Sequence, residues 1–443
     1  MHKITVIGGG LSGCEAAWQI AEREGLPVRL VEMRPLATTP AHTTALLAEV
    51  VCSNSFGGVI DPGPEEHITA AGILKEELEL GGSLILSCAR ASRVPAGGAL
   101  AVDRERFSSL VTEKITSHPK IQLVREEVAS LPEGPAIIAT GPLTAPALAE
   151  ALRSALGKEY VAFFDAVAPI VTRESINMGK AFAAGRYGRG GDSYINCPMN
   201  REEYSVFYNE LIHAQRALPH DFERGMYFEG CMPIEAIAER GTDTMRFGPL
   251  RPVGLPDPRT GRESWAVVQL RQDNAEGTLY NLVGFQTALK WGEQKRVFSL
   301  IPGLEKAEFV RFGVMHRNTS VNAPAVLDPW LRLTSAGRGD IFLAGQITGV
   351  EGYMESTAMG LVAGINAARL LRGRPLPDWP ETTAIGSLLH YLRSADPAHF
   401  QPMNMNLGIF PHLENRIRDK RQRAAGYRER AATAMKDFLN SLD

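Results

Sequence analysis

Apolar and polar positions alternate in blocks along the first third of the chain. A short apolar strand at residues 3–7 runs into a glycine cluster, and a helix-like run follows from Cys14-Glu15-Ala16-Ala17-Trp18. A second strand, Val28 to Val31, ends on Glu32. Asp103 is placed to cap a helix running to about Ser117, and Ile121-Gln122-Leu123-Val124 reads as a strand. The apolar run from Ala136 to Ala139 ends at Thr140-Gly141, a buried strand with its turn. Strands separated by helix-length segments predict a parallel α/β sheet.

The pattern changes between about residues 160 and 300. Glycine- and proline-rich loops surround one clear helix after the Asn200 cap, Glu202 to Gln215, and an alternating segment, Trp265 to Leu270. A mixed α/β domain inserted into the first one is expected there. Residues 340–372 return to α/β character: a strand and turn at Asp340 to Gly345, then Gly349 and Gly352, then an apolar helix from about Ser356 to Leu371. After Pro375-Leu376-Pro377 the chain reads as helical and polar. The expected division is a discontinuous cofactor domain at 1–160 and 300–375, an insert at 161–299 and a helical segment at 376–443.

With 443 residues there is room for two or three domains and a sizeable core. The N-terminal strand leaves no place for a signal peptide, and no charge-free run is long enough for a membrane span, so a cytoplasmic protein is expected. The net charge of −3 excludes nucleic-acid binding through a global field and leaves local basic patches. One such patch is the C-terminal run with Arg416, Arg418, Lys420, Arg421, Arg423, Arg428, Arg430 and Lys436. The five cysteines form no CxxC and no HExxH is present, so no metal is expected.

The glycine cluster carries the first chemistry. Gly8, Gly9, Gly10, Leu11, Ser12 and Gly13 stand between a strand and a helix, and Glu32 closes the next strand nineteen residues after Gly13. Gly8 permits the tight turn, Gly10 lets backbone approach a pyrophosphate, and Gly13 lets helix and strand pack closely. The helix N-terminus faces the phosphates, and Glu32 accepts from a ribose hydroxyl, with Arg34 beside it. The late turn, with Gly345, Gln346, Gly349 and Gly352, is similar to the second flavin motif of the glutathione-reductase-like fold. Together the two turns point to FAD, with the helix dipole stabilising negative charge on the reduced ring. No second GxGxxG follows a strand, which argues against a dedicated NAD(P)H domain and leaves NADH or NADPH as a transient visitor.

Two cysteines sit in loops built to present a thiol: Cys52, within Val51-Cys52-Ser53-Asn54-Ser55, and Cys231, within Phe228-Glu229-Gly230-Cys231-Met232-Pro233. Cys14, Cys88 and Cys197 read as packing residues. These two blocks resemble the folate- and FAD-dependent tRNA uracil-5-methyltransferase family. The same resemblance extends through Gly248-Pro249-Leu250-Arg251-Pro252, Val267 to Asp273, Gly284-Phe285-Gln286-Thr287, Leu289-Lys290-Trp291-Gly292 and Gly313 to Asn318. It continues in Gly345 to Tyr353 and Gln401-Pro402-Met403-Asn404, so that it covers nearly the whole chain.

The resemblance implies transfer of the one-carbon unit of methylenetetrahydrofolate to C5 of a T-loop uridine in tRNA, and its reduction to methyl by FADH2. It implies Cys231 as the nucleophile at uracil C6. It also implies Cys52 as a second catalytic cysteine, assisting proton removal or protecting the site. Whether the carbon passes directly or by way of the flavin stays open. Trp291, Phe285, His316 and Tyr353 are the folate candidates. Lys290, Arg271 and Arg317 are candidates for the folate glutamate or RNA phosphates, and Arg186, Arg189, Lys290, Arg416 and Arg421 for tRNA. A generic FAD-dependent oxidoreductase acting on a small molecule is the alternative reading.

Overall fold

The structure is a computed structural model and describes residues 3–39, 41–62, 68–166, 168–188, 191–217, 232–334, 336–415 and 417–442. For residues 158, 160–166 and 315–317 it describes the backbone alone. Two six-stranded sheets organise the chain. The first is built on β1 (Ile4–Ile7), which pairs in parallel with β2 (Val28–Glu32) on one side and with Ala136–Ile138 on the other. Ile121–Arg125 extends the sheet beyond β2, and Arg338–Leu343 extends it in parallel beyond Ala136–Ile138. Only the outermost strand, Arg332–Leu333, runs antiparallel. A late strand thus joins strands from the first third, as the return of α/β character predicts.

The second sheet is antiparallel, in the order Phe182–Ala183, Tyr194–Met199, Ala266–Gln272, Leu279–Leu282, Ile170–Thr172 and Phe309–Arg311. Two long antiparallel strands, Tyr160–Ala166 and Met315–Val321, carry the chain into this region and back out. The alternation read at Trp265 to Leu270 is not what the strand shows. Ala266, Val267, Val268, Leu270 and Arg271 are all buried, because helices and loops cover both faces.

Local signals place the helix starts. Asp103 accepts from Arg106 N–H at the start of Arg104–Ser117. Asn200 and Glu203 form a reciprocal capping box at Arg201–His213, one residue earlier than the sequence suggests. Two helices begin earlier than expected. The first, α1 (Leu11–Trp18), takes in Gly13, and the long apolar helix spans Tyr353–Leu371. The segment after Pro377 is less polar than its composition implies. Ala384–Ser394 buries Ala384, Ile385, Leu388, Leu389 and Leu392 in the main core. The last helix, Lys420–Ser441, buries Tyr427, Met435 and Phe438. Among the described residues no helix is long and apolar enough to cross a membrane.

Glu77 ties this C-terminal helical region to the core. Fully buried, it accepts from Ala384 N–H and Ile385 N–H at the helix start. Burial outweighs these donors and pushes its carboxyl up to about 8. The folded chain therefore keeps a proton that the unfolded chain has shed from its ordinary value upward. This contribution to stability is full at acid pH and is lost as pH rises toward about 8. The urea midpoint is expected to fall between pH 5 and 8.5, and to fall less in Glu77→Gln. Identical slopes for the two proteins would refute the assignment.

Candidate functional site

The first glycine turn folds into a cradle because its residues lack side chains where the backbone closes in. A Cβ on Gly13 would stand 1.8 Å from the Gly8 carbonyl oxygen, so only glycine lets α1 sit on the β1 turn. Gly10 faces open space instead, with nothing within 4 Å of a Cβ there. Beside it, Ser12 Oγ is buried without a hydrogen-bond partner. A buried hydroxyl at a helix N-terminus needs an acceptor, and a phosphate oxygen is one.

Glu32 closes the far end of this cradle. Its Oε2 accepts from Gly9 N–H at 2.7 Å, and its Oε1 accepts from Arg34 N–H at 3.0 Å and Arg34 Nε at 2.8 Å. Burial disfavours the charge, but the Arg34 hydrogen bonds and charge outweigh it and hold the carboxyl below its ordinary value. Arg34 is itself 2 % exposed and reaches Glu49 at 3.0 Å. Its guanidinium thus braces Glu32 from behind. A cavity of about 80 Å³ runs from Gly8, Gly10 and Glu32 past Ala139 and Thr140 to Leu143.

Leu143 also lines a second cavity, of about 170 Å³, bounded by Cys52, Ser53, Asn318, Gln346, Glu351 and Tyr353. The two cavities are therefore neighbours along one run, the layout an extended dinucleotide needs. The second glycine turn shapes this end. Gly352, at φ +113°, reverses the chain just before the Tyr353 helix, in a region that side chains rarely adopt. A Cβ on Gly345 would stand 2.8 Å from Ser12 Cβ, so the late turn packs against the first one. An extended C-terminal segment crosses over it. Met403 N–H donates to the Gly349 carbonyl, Glu351 N–H donates to the Met403 carbonyl, and Asn404 Nδ2 donates to the Glu351 carbonyl. The Gln401–Asn404 block thus acts as a strap on the flavin-like turn.

Cys52 is half-buried, and its loop is clamped from three directions. Tyr353 Oη accepts from Cys52 N–H at 3.0 Å and from Ser53 N–H at 3.1 Å. Burial, then the nearby Cys52 sulfur, pushes that phenol well above its ordinary value, so it stays protonated. Arg271 donates to Asn54 Oδ1 at 2.9 Å and to Ser53 Oγ at 2.6 Å. Arg104 donates to the Val50 carbonyl and pairs with Asp273 at 2.9 Å. The thiol loop of the first domain is thereby fixed by residues of the inserted sheet and of the late helix.

The other sequence candidates divide sharply. Phe285 is fully buried, edge-on to Phe298 at 5.3 Å, and presents no face to a ligand. Arg271 is a buried brace and not a surface cation. Arg186 lies on the Gly185–Gly188 loop, but it donates to the Arg251 and Val253 carbonyls and to Gln269, which pins it to the insert. Trp291 is 62 % exposed and stacks on Phe312 at 5.6 Å, outside the Cys52 cavity. Exposed Lys290 donates to Gln215 Oε1. The side chains of His316 and Arg317 are not described, although their strand borders the cavity through Asn318. Cys231, Arg189 and Arg416 lie outside the described residues.

In the C-terminal run, Arg421 is exposed, whereas Arg428 pairs with Glu76 and Asp61 and Arg430 donates to the Pro411 and His412 carbonyls. Arg428 and Arg430 are thus committed to holding the last helix down. Sequence reasoning missed Asn318 and Glu351 as cavity residues. Both lie at or near the ends of blocks that carry the family resemblance, which was the signal for them.

Residues 3–375 match the family model described as glucose inhibited division protein A. A protein of Moorella thermoacetica is 58 % identical over 424 residues, covering 95 % of this chain and 94 % of its own. One of Pelotomaculum thermopropionicum is 56 % identical over 441 residues, covering 99 % and 97 %. Both carry the name methylenetetrahydrofolate–tRNA-(uracil-5-)-methyltransferase TrmFO. Among solved structures, Aquifex aeolicus GidA superposes with a TM-score of 0.70 at 16 % identity, over 99 % of this chain and 73 % of that one. This likeness supports the glutathione-reductase-like FAD fold.

Proposed function

Because the chain belongs to the glucose inhibited division protein A family, and within it to the methylenetetrahydrofolate–tRNA-(uracil-5-)-methyltransferases, we propose that it converts a T-loop uridine of tRNA to 5-methyluridine. Methylenetetrahydrofolate gives the carbon. The observation that carries this reading is a thiol, Cys52, at the end of the same run of cavities that begins in a dinucleotide cradle.

The Gly8–Gly13 turn, Glu32 and the Gly345–Gly352 turn would hold FAD, and the orphaned Ser12 hydroxyl and the open face of Gly10 fit its pyrophosphate. Reduced FAD supplies the two electrons, as a hydride, that bring a carbon at the formaldehyde level to a methyl. The chain's own thiol starts the reaction. Cys231 adds to C6 of uracil, and the new bond drives electrons toward the C4 carbonyl, which makes C5 nucleophilic enough to attack the one-carbon unit. Departure of the same thiolate later restores the ring. Cys52 attends this chemistry from a loop held by Tyr353 through its backbone and by Arg271 through the Ser53 and Asn54 side chains.

His316, Tyr353 and Trp291 remain the folate candidates, and Lys290, Arg189, Arg416 and Arg421 the tRNA candidates. NADH or NADPH is the reductant, and the cytoplasm is the place. We divide the chain at 1–160 with 300–375, 161–299 and 376–443. The strand Phe309–Arg311 completes the insert's sheet from beyond that boundary. Incubation with unmodified tRNA, methylenetetrahydrofolate and NADH or NADPH is expected to yield 5-methyluridine in the T-loop, mapped by mass spectrometry. Flavin turnover without any modified tRNA would favour the small-molecule oxidoreductase instead.

A further inference from the structure

Phe247 closes the short helix Thr244–Phe247 and is 83 % exposed. A large apolar side chain standing alone in solvent needs no explanation, but this one does not stand alone. Of the eight large apolar side chains exposed among the described residues, Phe247, Val253 and Tyr187 belong to one knot of backbone. Arg251 N–H donates to the Gly248 carbonyl at 3.3 Å, which turns the chain between Phe247 and Arg251. Tyr187 N–H donates to the Gly254 carbonyl at 2.7 Å. A Cβ on Gly254 would stand 2.6 Å from a Tyr187 ring carbon, so the ring lies against that glycine. Arg186 donates to the Arg251 and Val253 carbonyls and locks the two loops together. The patch also lies close to the Cys52 cavity. Arg186 reaches Gln269 at 3.0 Å, and Gln269 shares a face of the strand Ala266–Gln272 with Arg271, two residues or about 7 Å further along. Arg271 in turn holds Ser53 and Asn54, next to Cys52.

Charge gives the patch a sign. The Arg251 side chain is exposed and has no hydrogen-bond or ion-pair partner among the described residues. The acids bonded to the same segment are engaged: Glu263 accepts from Gly254 N–H at 2.7 Å, and Asp243 pairs with Arg246 at 2.7 Å. An exposed ring beside an uncommitted arginine suits a single-stranded nucleic acid, in which every base has a face to stack and every nucleotide a phosphate to pair. A second copy of the chain would offer the same patch, with its acids already engaged. We propose that this surface holds the tRNA: an unpaired base stacks on Phe247, and an adjoining phosphate pairs with Arg251. The inference rests on the methylation reading above. The knot of backbone hydrogen bonds keeps ring and guanidinium in place before the RNA arrives, so little freedom is lost on binding.

The test measures binding of unmodified tRNA to the full-length protein with FAD bound, without methylenetetrahydrofolate, over a series of salt concentrations. Phe247→Ala is expected to weaken binding about 10-fold at every salt concentration, the scale of one base on one ring. Phe247→Trp is expected to restore the affinity and Phe247→Leu to leave it weak, which separates stacking from apolar burial. Arg251→Gln is expected to reduce the slope of log affinity against log salt by about 1, the loss of one phosphate contact. Flavin absorbance per mole of protein and the melting temperature report that each variant is folded. Parental affinity in Phe247→Ala, full recovery in Phe247→Leu or a parental slope in Arg251→Gln would overturn the proposal. So would a parental dimer, seen by sedimentation, that Phe247→Ala dissociates while each protomer binds tRNA as before, because the patch would then join two copies of the chain. If the parental protein itself binds no tRNA and makes no 5-methyluridine, the methylation reading fails, a result the variants do not mimic.

Discussion

Cys231→Ala is expected to form 5-methyluridine at least about 10⁴-fold more slowly than the parental protein, the scale on which removal of a covalent nucleophile is felt. It is also expected to give no covalent adduct with a 5-fluorouridine minihelix. Three of the other four cysteines offer no substitute. Burial pushes Cys88 up to about 11 and Cys197 up to about 12, and Cys14 still further. A thiol at about 11 is ionised to roughly one part in 10⁴ at neutral pH, and the thiolate is the nucleophile. Cys88→Ala is therefore expected to behave as the parental protein does.

The chain just after Cys231 is firmly seated. Met232 is buried, Ile234 N–H donates to the Gln286 carbonyl at 2.7 Å, and buried Glu235 accepts from Ala288 N–H at 2.7 Å and from Thr287 Oγ1 at 3.0 Å. Persistence of the adduct in Cys231→Ala would remove the residue from the nucleophile role. Cys52 would then be the first alternative, since it lines the cavity.

Gly13→Val is expected to abolish flavin binding and to lower the melting temperature, so that the purified protein is colourless. Even the first added carbon would stand 1.8 Å from the Gly8 carbonyl oxygen. Neither partner can yield. Gly8 N–H is bonded to the Val31 carbonyl at 2.8 Å, which fixes the turn to β2. Alongside α1, a Cβ on Gly360 would stand 2.3 Å from the Ser12 carbonyl oxygen, so α1 is also packed tightly against the Tyr353–Leu371 helix. Overpacking of this kind costs about 1–3 kcal/mol or more, and it displaces the helix end that faces the phosphates.

Gly10→Ala supplies the contrast. Its Cβ meets nothing within 4 Å, so the protein is expected to melt as the parental one does while holding FAD less well. Flavin absorbance per mole of protein, read beside thermal melts, separates the two effects. Parental flavin content in Gly13→Val would show that the first glycine turn is not the cofactor cradle.

Signals that act over a few residues were readable from the chain. The Gly8–Gly13 turn, Glu32 at its strand end, the Asp103 cap and the Asn200 cap all appear where the sequence places them. Other readings went astray where long-range packing overrides local pattern. Phe285 stands among the folate candidates and Arg271 among those for the folate glutamate or RNA phosphates, yet one fills the insert's core and the other is buried against a loop 217 residues away. Ala384–Ser394 follows a polar, proline-rich stretch, yet its start is capped by Glu77, 307 residues earlier in the chain.

The sequence by itself therefore determined that a parallel α/β unit with two glycine turns is interrupted by a second sheet. Periodicity, capping and turn chemistry are short-range, so each leaves its mark within one element. Only the tertiary structure decided what surrounds the Cys52 thiol. Tyr353 reaches its loop across 301 residues, and Asn404 reaches the Glu351 carbonyl across 53. Such contacts exist because separate elements bury their apolar faces on one another, and a linear pattern does not record which faces meet.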